Sequence, residues 1–504
     1  MTHPGLPIEW VVIVTSAVFL LGAWSLHPAA VSATHGRTIN LAELPVLGPL
    51  IRGMVHSPLL LFFLKLISVA LFLLIIAAGL FGSAVPERNI ATVLTWNIWW
   101  TGLIVSVFFL GSAWCAVCPW DALATWLVNK RLWRRGAPHS SLNLRVPRWL
   151  RSVWPALLMF IGLSWLELCM GITVSPYATA LLALFIVVLA TVSLAVYERK
   201  AFCRYFCPVG RTVGFYSQLA PVELRPIDTD ICADCTTLEC YYGNDEVAPC
   251  PTHLVMGRLQ QNTYCTSCGN CTQSCPSRNV AWRLRRYGVE AIQEARPHAD
   301  EAWFMLILFS LTILHGLSMM PFYESWVSGL AVLIGDSGRL LWSQSAFFIL
   351  SLTAPVAVYL IFVYMTCRLN MEHVEIKRGF SGLAFSVLPL AFAYHIAHNL
   401  NHLLREGAGI LYVLGNPLGI GTQPLTLVEK HQRYMHMLLP EDLLFALQAG
   451  LLIFGFWISL KVIQHRASGL FDGRRAAMAP MVVFAILATS LHLWLLNQPM
   501  VMRM

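Results

Sequence analysis

Charged residues are scarce in this chain. Only 12% of its 504 residues are Asp, Glu, Lys or Arg, whereas 57% are hydrophobic. Ordinary soluble domains carry about 25% charged residues. The composition therefore excludes an ordinary soluble protein and predicts a polytopic membrane protein.

Apolar runs long enough to cross a bilayer recur along the chain. A spanning helix needs roughly 20 mainly apolar residues. The first run follows MTHPGLPIE, which lacks both a positively charged segment and a clear cleavage site, so we expect this helix to remain. In all, the sequence predicts about ten helices, over residues 8–26, 57–82, 92–114, 152–173, 177–197, 302–320, 344–366, 382–404, 442–462 and 478–497.

Basic residues are concentrated in four segments, 127–151, 199–300, 368–378 and 461–475. If ten helices alternate, all four segments fall on one side, and an excess of Lys and Arg marks the cytoplasmic side. We therefore predict a multi-pass protein of the bacterial cytoplasmic (inner) membrane, embedded in lipid, with both termini outside. The net charge of +8 follows from this topology and requires no nucleic-acid partner.

The sequence contains none of the C-x-x-C-H units that attach c-type haem. Eight of its 14 cysteines instead lie between residues 232 and 275. They form the run Cys232-x2-Cys235-x4-Cys240, then Cys250-Pro251, then the run Cys265-x2-Cys268-x2-Cys271-x3-Cys275-Pro276. The last run has the spacing of bacterial ferredoxins.

This spacing predicts two [4Fe–4S] clusters with crossed ligands. In two-cluster ferredoxins, three thiolates of one run hold one cluster, and the fourth, which precedes a proline, ligates the other. The predicted sets are Cys232, Cys235, Cys240 and Cys275 for the first cluster, and Cys265, Cys268, Cys271 and Cys250 for the second. Zinc would need only four thiolates, usually in paired C-x2-C units, and disulfides do not suit a reducing cytosol.

Two further cysteine pairs, each followed by a proline, lie at the ends of two predicted helices. They are Cys115 and Cys118 before Pro119, and Cys203 and Cys207 before Pro208. A proline stops or kinks a helix and leaves backbone N–H groups that are able to bond sulfur. We expect a third metal site here, with iron–sulfur as the leading choice; packed free thiols are the alternative.

Five histidines and one carboxylate lie in the outer halves of the predicted helices: His315, His395, His398, His402, His492 and Glu167. Imidazole and carboxylate groups inside a membrane tend to mark cofactor, metal or proton sites. The histidines fit a b-type haem, a copper site, a quinone pocket, or a set of unrelated residues. Glu167 is either a proton acceptor for a quinol or an interfacial residue.

The two Cys-Cys-Pro endings and the two ferredoxin runs resemble the polyferredoxin-type membrane 4Fe–4S proteins, over about residues 57–280. This group includes the membrane quinol dehydrogenase subunit of periplasmic nitrate reduction and the membrane protein that supports nitrous oxide reductase. The resemblance implies a cytoplasmic ferredoxin module on a helical bundle. It also implies exchange of electrons between the quinone pool or a cytosolic donor and a periplasmic redox partner protein.

These observations predict an all-α polytopic membrane protein with an inserted, cytoplasmic, two-cluster ferredoxin-like domain. Its units are 1–56, the first helix and a connector; 57–200, a four-helix membrane domain; 201–300, the ferredoxin-like domain; and 301–504, a five-helix membrane domain. The expected function is electron transfer between cytoplasmic [4Fe–4S] clusters and a quinone or haem site near the outer face. The alternative is a copper reductase or a factor for metalloenzyme maturation.

Overall fold

The computed structural model describes residues 2–27, 38–130, 132, 141–369, 375–435, 437–471 and 475–501. Three of the four basic segments, 127–151, 368–378 and 461–475, lie partly outside the described residues.

Nine helices among the described residues are long and apolar enough to cross a membrane, judged by length and composition alone. They are Ile8–Ser25, Leu59–Phe81, Ile90–Asn129, Pro176–Val196, Ala299–Leu317, Leu341–Leu369, Ile376–Glu406, Glu441–Leu470 and Ala479–Asn497. The stretch predicted at 152–173 forms a shorter apolar helix, Trp154–Met170. It stops early because Gly171 adopts a left-handed conformation with φ of 65°, which terminates helices. With this helix counted fourth, the ten are called the first to the tenth apolar helices.

Local sequence explains where several apolar helices begin. The second and fifth start with Pro58 and Pro176, each directly after a serine. The Ser57 and Ser175 hydroxyls accept hydrogen bonds from the backbone N–H groups of the first turn, at 3.3 Å in both cases. Serine at the cap and proline at the first helical position together satisfy or remove N–H groups that would otherwise lack partners.

The third apolar helix is irregular. It starts as Ile90–Thr92, passes through a π-helical segment, Val93–Trp99, and continues as Trp100–Leu110. A tight turn at Gly111–Ala116 then precedes a final helix, Pro119–Asn129. Gly111 has φ of 58°, a left-handed conformation that glycine adopts without a steric penalty. The turn carries Cys115 away from the regular helix.

The eighth apolar helix lies at the centre of the bundle and packs most closely on the ninth. A Cβ atom at Gly455 would lie 2.4 Å from the Cβ of Ala393, so only glycine permits this approach. Gln448 Nε2 donates to the Ala397 carbonyl at 2.9 Å, which adds a buried polar link between the two helices. The eighth helix is therefore held in a fixed position by its neighbours.

The helices alternate in direction between two ends of the bundle. At one end, Thr2–His3 pairs with Met500–Val501, and the segment before the third helix bonds to the one after the eighth, where Ile90 N donates to Pro417 O at 2.9 Å. At the other end, Arg466 Nε donates to Ala291 O at 2.6 Å. The first end is called the histidine end. The second end bears the cysteine-rich residues, which form a small module, and is called the module end.

The cysteine-rich module contains a small antiparallel sheet and short helices. Val222–Pro226 pairs with Val280–Leu284, and Ile39–Asn40 adds a third strand on the other side of Val280–Leu284. The short helices Thr229–Ala233, Glu239–Tyr242 and Asn270–Ser274 each carry a cysteine of the ferredoxin runs. The connector after the first apolar helix is thus part of the module sheet.

A buried network of carboxylates and guanidinium groups joins the sheet to the bundle. Arg225 and Arg285 both bond Glu290 Oε1, at 2.6 and 2.5 Å, and Arg285 also bonds Glu223 at 3.0 Å. Arg285 Nη2 donates to the Ser217 carbonyl at 2.9 Å, in the segment that leads from the bundle. Because these charges are buried, each depends on its partners for compensation.

We predict that Glu290→Gln destabilises the protein by about 3 kcal/mol, because it leaves two buried guanidinium groups with one fewer anion. Thermal unfolding of the detergent-solubilised protein, followed by circular dichroism, measures the loss. Glu246→Gln is the control, since Glu246 is an exposed carboxylate of the module outside the network. Equal melting temperatures for the two variants would show that the network does not hold the module in place.

Candidate iron–sulfur site

The first predicted cysteine set lines a single cavity at the surface of the module. Cys232, Cys235, Cys240 and Cys275 all border this space of about 430 Å³, together with Met256. Cys275 comes from the second ferredoxin run and the other three from the first. The fold therefore brings together the crossed set that the spacing predicts.

Asn279 links the two runs at this cavity. Its backbone N–H donates to Cys275 Sγ and its Nδ2 donates to Cys232 Sγ, both at 3.4 Å. Burial raises the pKa of the Cys232 thiol, and the negative charges of Cys275 and Cys235 add to the effect. By contrast, the N–H of Leu238 and the Thr237 hydroxyl lower the pKa of Cys235. The sulfur atoms are thus oriented by N–H donors, as in iron–sulfur sites.

The second predicted set lies deeper. Burial raises the pKa of Cys265 to about 12, and repulsion from Cys268 and Cys250 contributes. Backbone N–H groups of Ser267 and Leu254 point at Cys265 Sγ and Cys250 Sγ, at 3.4 and 3.3 Å. Cys271, also buried, interacts with Cys268, Cys265 and Cys250. Because burial raises the pKa of Cys265, Cys268 and Cys271, these three thiols keep their protons until a metal ion displaces them.

The third set comes from two irregular helix ends. Cys203 lies within a π-helical turn, Phe202–Phe206, and Cys207 directly follows it; Gly210 N donates to Cys207 Sγ at 3.2 Å. Burial raises the pKa of Cys203 well above its usual value, and Asp121, Cys207 and Cys118 add to this. The buried Arg211 guanidinium interacts with both Cys207 and Cys115. All four cysteines therefore converge on one place.

Several residues next to the third set have buried N–H donors that lack a protein acceptor. Among the described residues, Trp114 Nε1, Trp120 Nε1, Arg204 Nε and Arg211 Nε are buried and have no hydrogen-bond partner. Each belongs to a residue beside a cysteine of the set in sequence or in space. Sulfur atoms of an iron–sulfur cluster accept such bonds. The residues present therefore fit a [4Fe–4S] cluster.

The sulfur atoms in each set are spaced too widely for a single zinc ion. Four thiolates at about 2.3 Å from one zinc lie less than about 4 Å from each other. Within the described part of the chain, only Glu223, Glu290 and Glu294 bring three ligand atoms within 4.8 Å of one another. The cysteine sets are therefore more open, which suits a cluster of four irons better.

The three sets are neighbours in series. Cys271 of the second set interacts with Cys240 of the first. Ser112, in the Gly111–Ala116 turn of the third apolar helix, lies next to Ser267, which directly precedes Cys268 of the second set; their hydroxyl oxygens are 2.8 Å apart. Arg211 Nη1 donates to the Thr263 carbonyl at 2.5 Å, close to Cys265. The series runs from the module surface to the ends of the apolar helices.

The structure divides the five predicted histidines into two groups. His395 lies apart, with Nδ1 3.1 Å from the Tyr216 hydroxyl and its ring 6.0 Å from that of Trp100. Tyr216 belongs to Pro208–Ser217, the helix that follows Cys207. His395 therefore contacts the helix that follows Cys207, whereas the ring contacts of the other four histidines are made elsewhere.

The remaining residues gather near the histidine end. The His398 ring contacts the rings of His315 and His402, with centroids 5.6 and 5.0 Å apart. Glu167 Oε1 lies 3.7 Å from His315 Nε2. His492 stacks on Tyr394 at 4.2 Å, and the Tyr394 ring is 5.8 Å from that of His398. Four apolar helices thus supply one polar cluster inside the bundle.

Sequence reasoning missed Asp121, Lys200, Asn279 and Tyr216. Asp121 and Lys200 stand three residues from Cys118 and Cys203, respectively, at the ends of two very apolar helices. A charged residue so close to a cysteine motif was the available signal. Asn279 and Tyr216 carried no comparable signal, because their roles depend on contacts between distant segments.

Comparison with known proteins identifies one family match and two relatives. A family described as "4Fe-4S binding domain" matches residues 92–138 and 178–220, and each of these segments contains one Cys-Cys-Pro pair. No solved structure is significantly similar to the chain.

The relatives cover different amounts of the chain. YccM of Escherichia coli K12, whose name proposes an electron transport role, is 30% identical over 116 residues, which are 23% of this chain and 29% of that protein. The match thus spans less than a third of YccM. An uncharacterised protein of Methanocaldococcus jannaschii is 25% identical over 219 residues, 43% of this chain and 80% of that protein. The family match supports binding of a [4Fe–4S] cluster by this chain.

Proposed function

We propose that this chain is a membrane electron-transfer protein that connects [4Fe–4S] clusters at the module end with a quinone at the histidine end. The observation that carries the proposal is the series of three cysteine sets from the module surface to the apolar helix ends. When bound, [4Fe–4S] clusters accept and donate single electrons. The matched 4Fe-4S binding domain, which contains the third set, supports a cluster there.

The exposed surface of the apolar helices supports placement in a membrane. Four large side chains on the fifth helix are exposed by about half: Leu181, Phe185, Val188 and Val192. Their spacing of three and four residues places them on one face. A continuous apolar stripe of this kind is stable against lipid tails and unfavourable in water.

The distribution of Lys and Arg supports a cytoplasmic module end. The described parts of the four basic segments lie at that end, where Leu144 bonds Val196 and Arg466 bonds Ala291. Cytoplasmic loops are enriched in Lys and Arg. The module would then exchange electrons with cytosolic proteins, and the histidine end would face a periplasmic partner.

We predict that a membrane-impermeant thiol reagent labels Gln423→Cys but not Glu246→Cys in intact spheroplasts, because only the histidine end faces outward. Both positions are exposed, and they lie at opposite ends of the bundle. Lysis should make Glu246→Cys reactive, which controls for its accessibility. The opposite labelling pattern would invert the proposed orientation.

The polar cluster at the histidine end supports quinone chemistry. Oxidation of a quinol releases two protons with two electrons, so a quinol site needs groups that accept protons. Glu167 beside His315 and the His402–Glu406 pair, at 3.0 Å, supply carboxylate and imidazole acceptors. The close ring contacts of His398 with both histidines place these acceptors side by side.

A b-type haem is the second candidate for this site. His315 and His398 come from different helices, the sixth and the eighth, and their rings lie 5.6 Å apart at 81°. Two histidines on facing helices are the usual axial ligands of such a haem. Absorbance separates the two candidates, since only haem gives a Soret band.

We predict that His398→Ala slows quinol-dependent reduction of the clusters by on the order of 100-fold, since it removes the central imidazole of the polar cluster. Reduction by dithionite should be unchanged, because the cysteine sets are intact. His298→Ala, an exposed histidine at the module end, is the control. If both His398→Ala and His315→Ala show wild-type rates of quinol-dependent cluster reduction and an unaltered absorbance spectrum, both the quinone proposal and the haem proposal are wrong.

A further inference from the structure

A partly buried ion pair lies between the second and third cysteine sets. Lys200 Nζ is 2.6 Å from Asp121 Oδ2, and their side chains are 25% and 11% exposed. The other carboxylate oxygen, Asp121 Oδ1, is 3.9 Å from Cys203 Sγ of the third set. Lys200 also interacts with Cys268 of the second set. The pair therefore faces both sets at once.

A second ammonium group reaches the same place from another helix. Lys65, in the second apolar helix, interacts with Lys200 and Asp121, and also with Cys268 and Cys118. Two lysines and one aspartate thus interact with cysteines of the second and third sets. The name "charge triad" is used below for Lys65, Lys200 and Asp121.

A fixed charge beside a redox site changes its reduction potential. A site that gains an electron becomes more negative, so a nearby cation stabilises its reduced form and a nearby anion destabilises it. Because the triad is largely buried, water and salt screen it less than they would screen surface charges. Asp121 contacts a cysteine ligand directly, with Oδ1 3.9 Å from Cys203 Sγ, so its effect on the third set is strong.

We propose that the charge triad sets the reduction potentials of the second and third cysteine sets relative to each other. Lys65 and Lys200 face ligands of both sets and raise both potentials, whereas the contact of Asp121 with Cys203 lowers the potential of the third set selectively. The triad thereby biases electrons toward the second set. This inference rests on the proposed function, because it requires clusters in both sets.

The test is a redox titration of the purified full-length protein, followed by electron paramagnetic resonance. Lys200→Gln should shift the potentials of both sets to more negative values. Asp121→Asn should shift only the third set, and in the positive direction. Lys200→Arg, which keeps the positive charge, should restore values close to wild type. The control is Lys430→Gln, which breaks an ion pair with Glu87 of 3.4 Å at the histidine end and should shift neither potential.

The outcomes separate the two proposals. If the wild-type protein gives no cluster signal from the third set, the proposed function fails. If signals are present and Lys200→Gln and Asp121→Asn shift the third set in the same direction, or not at all, the inference is wrong. Loss of iron from Lys200→Gln but not from Lys200→Arg would assign the triad a structural role and would also overturn the inference.

Discussion

Neighbouring thiolates repel one another. The three cysteine sets of this protein therefore depend on nearby N–H groups and cationic side chains that offset the repulsion between their sulfur atoms. Burial and mutual repulsion raise the pKa values of Cys203, Cys265 and Cys271, so these sites favour neutral thiols until iron is bound. The chain supplies part of the compensation itself. Backbone N–H groups point at sulfur in all three sets, and Arg211 and Lys200 stand beside the third.

Such compensation requires that segments distant in sequence meet in fixed positions. The junction between module and bundle is held by the Glu223, Arg225, Arg285 and Glu290 network, and by the strand Ile39–Asn40 from the first connector. The same junction brings Ser267, beside Cys268 of the second set, against Ser112 in the turn of the third apolar helix. This contact keeps the second and third sets adjacent, as the proposed electron transfer between them requires.

Features that depend on local spacing could be predicted from the sequence. The apolar stretches and their alternation follow from composition and length, and the crossed ferredoxin sets follow from cysteine spacing. The convergence of the two Cys-Cys-Pro endings was predicted because both lie at helix ends on the same side.

Features that depend on contacts between distant segments could not be predicted from the sequence. The role of residues 39–40 as a strand has no local signal, since only pairing with Leu284 and Arg283 defines it. Five histidines in the outer halves of helices suggested one site, yet the hydrogen bond to Tyr216 draws His395 toward the cysteines. The position of a residue along a helix can be predicted from the sequence, but the direction in which its side chain packs depends on neighbouring helices. The charge triad was missed for the same reason, because Lys65 and Lys200 are 135 positions apart and meet only in the fold.

The central claim is that three cysteine sets hold three [4Fe–4S] clusters in series. Iron and acid-labile sulfide analysis of the anaerobically purified full-length protein tests it most directly. The account predicts about twelve irons and about twelve sulfides per chain, and about four fewer of each in Cys203→Ser. Cys169→Ser, which alters a cysteine outside all three sets, should retain the wild-type content. About eight irons in the wild type, unchanged in Cys203→Ser, would contradict the third cluster, and zinc in place of iron would contradict all three.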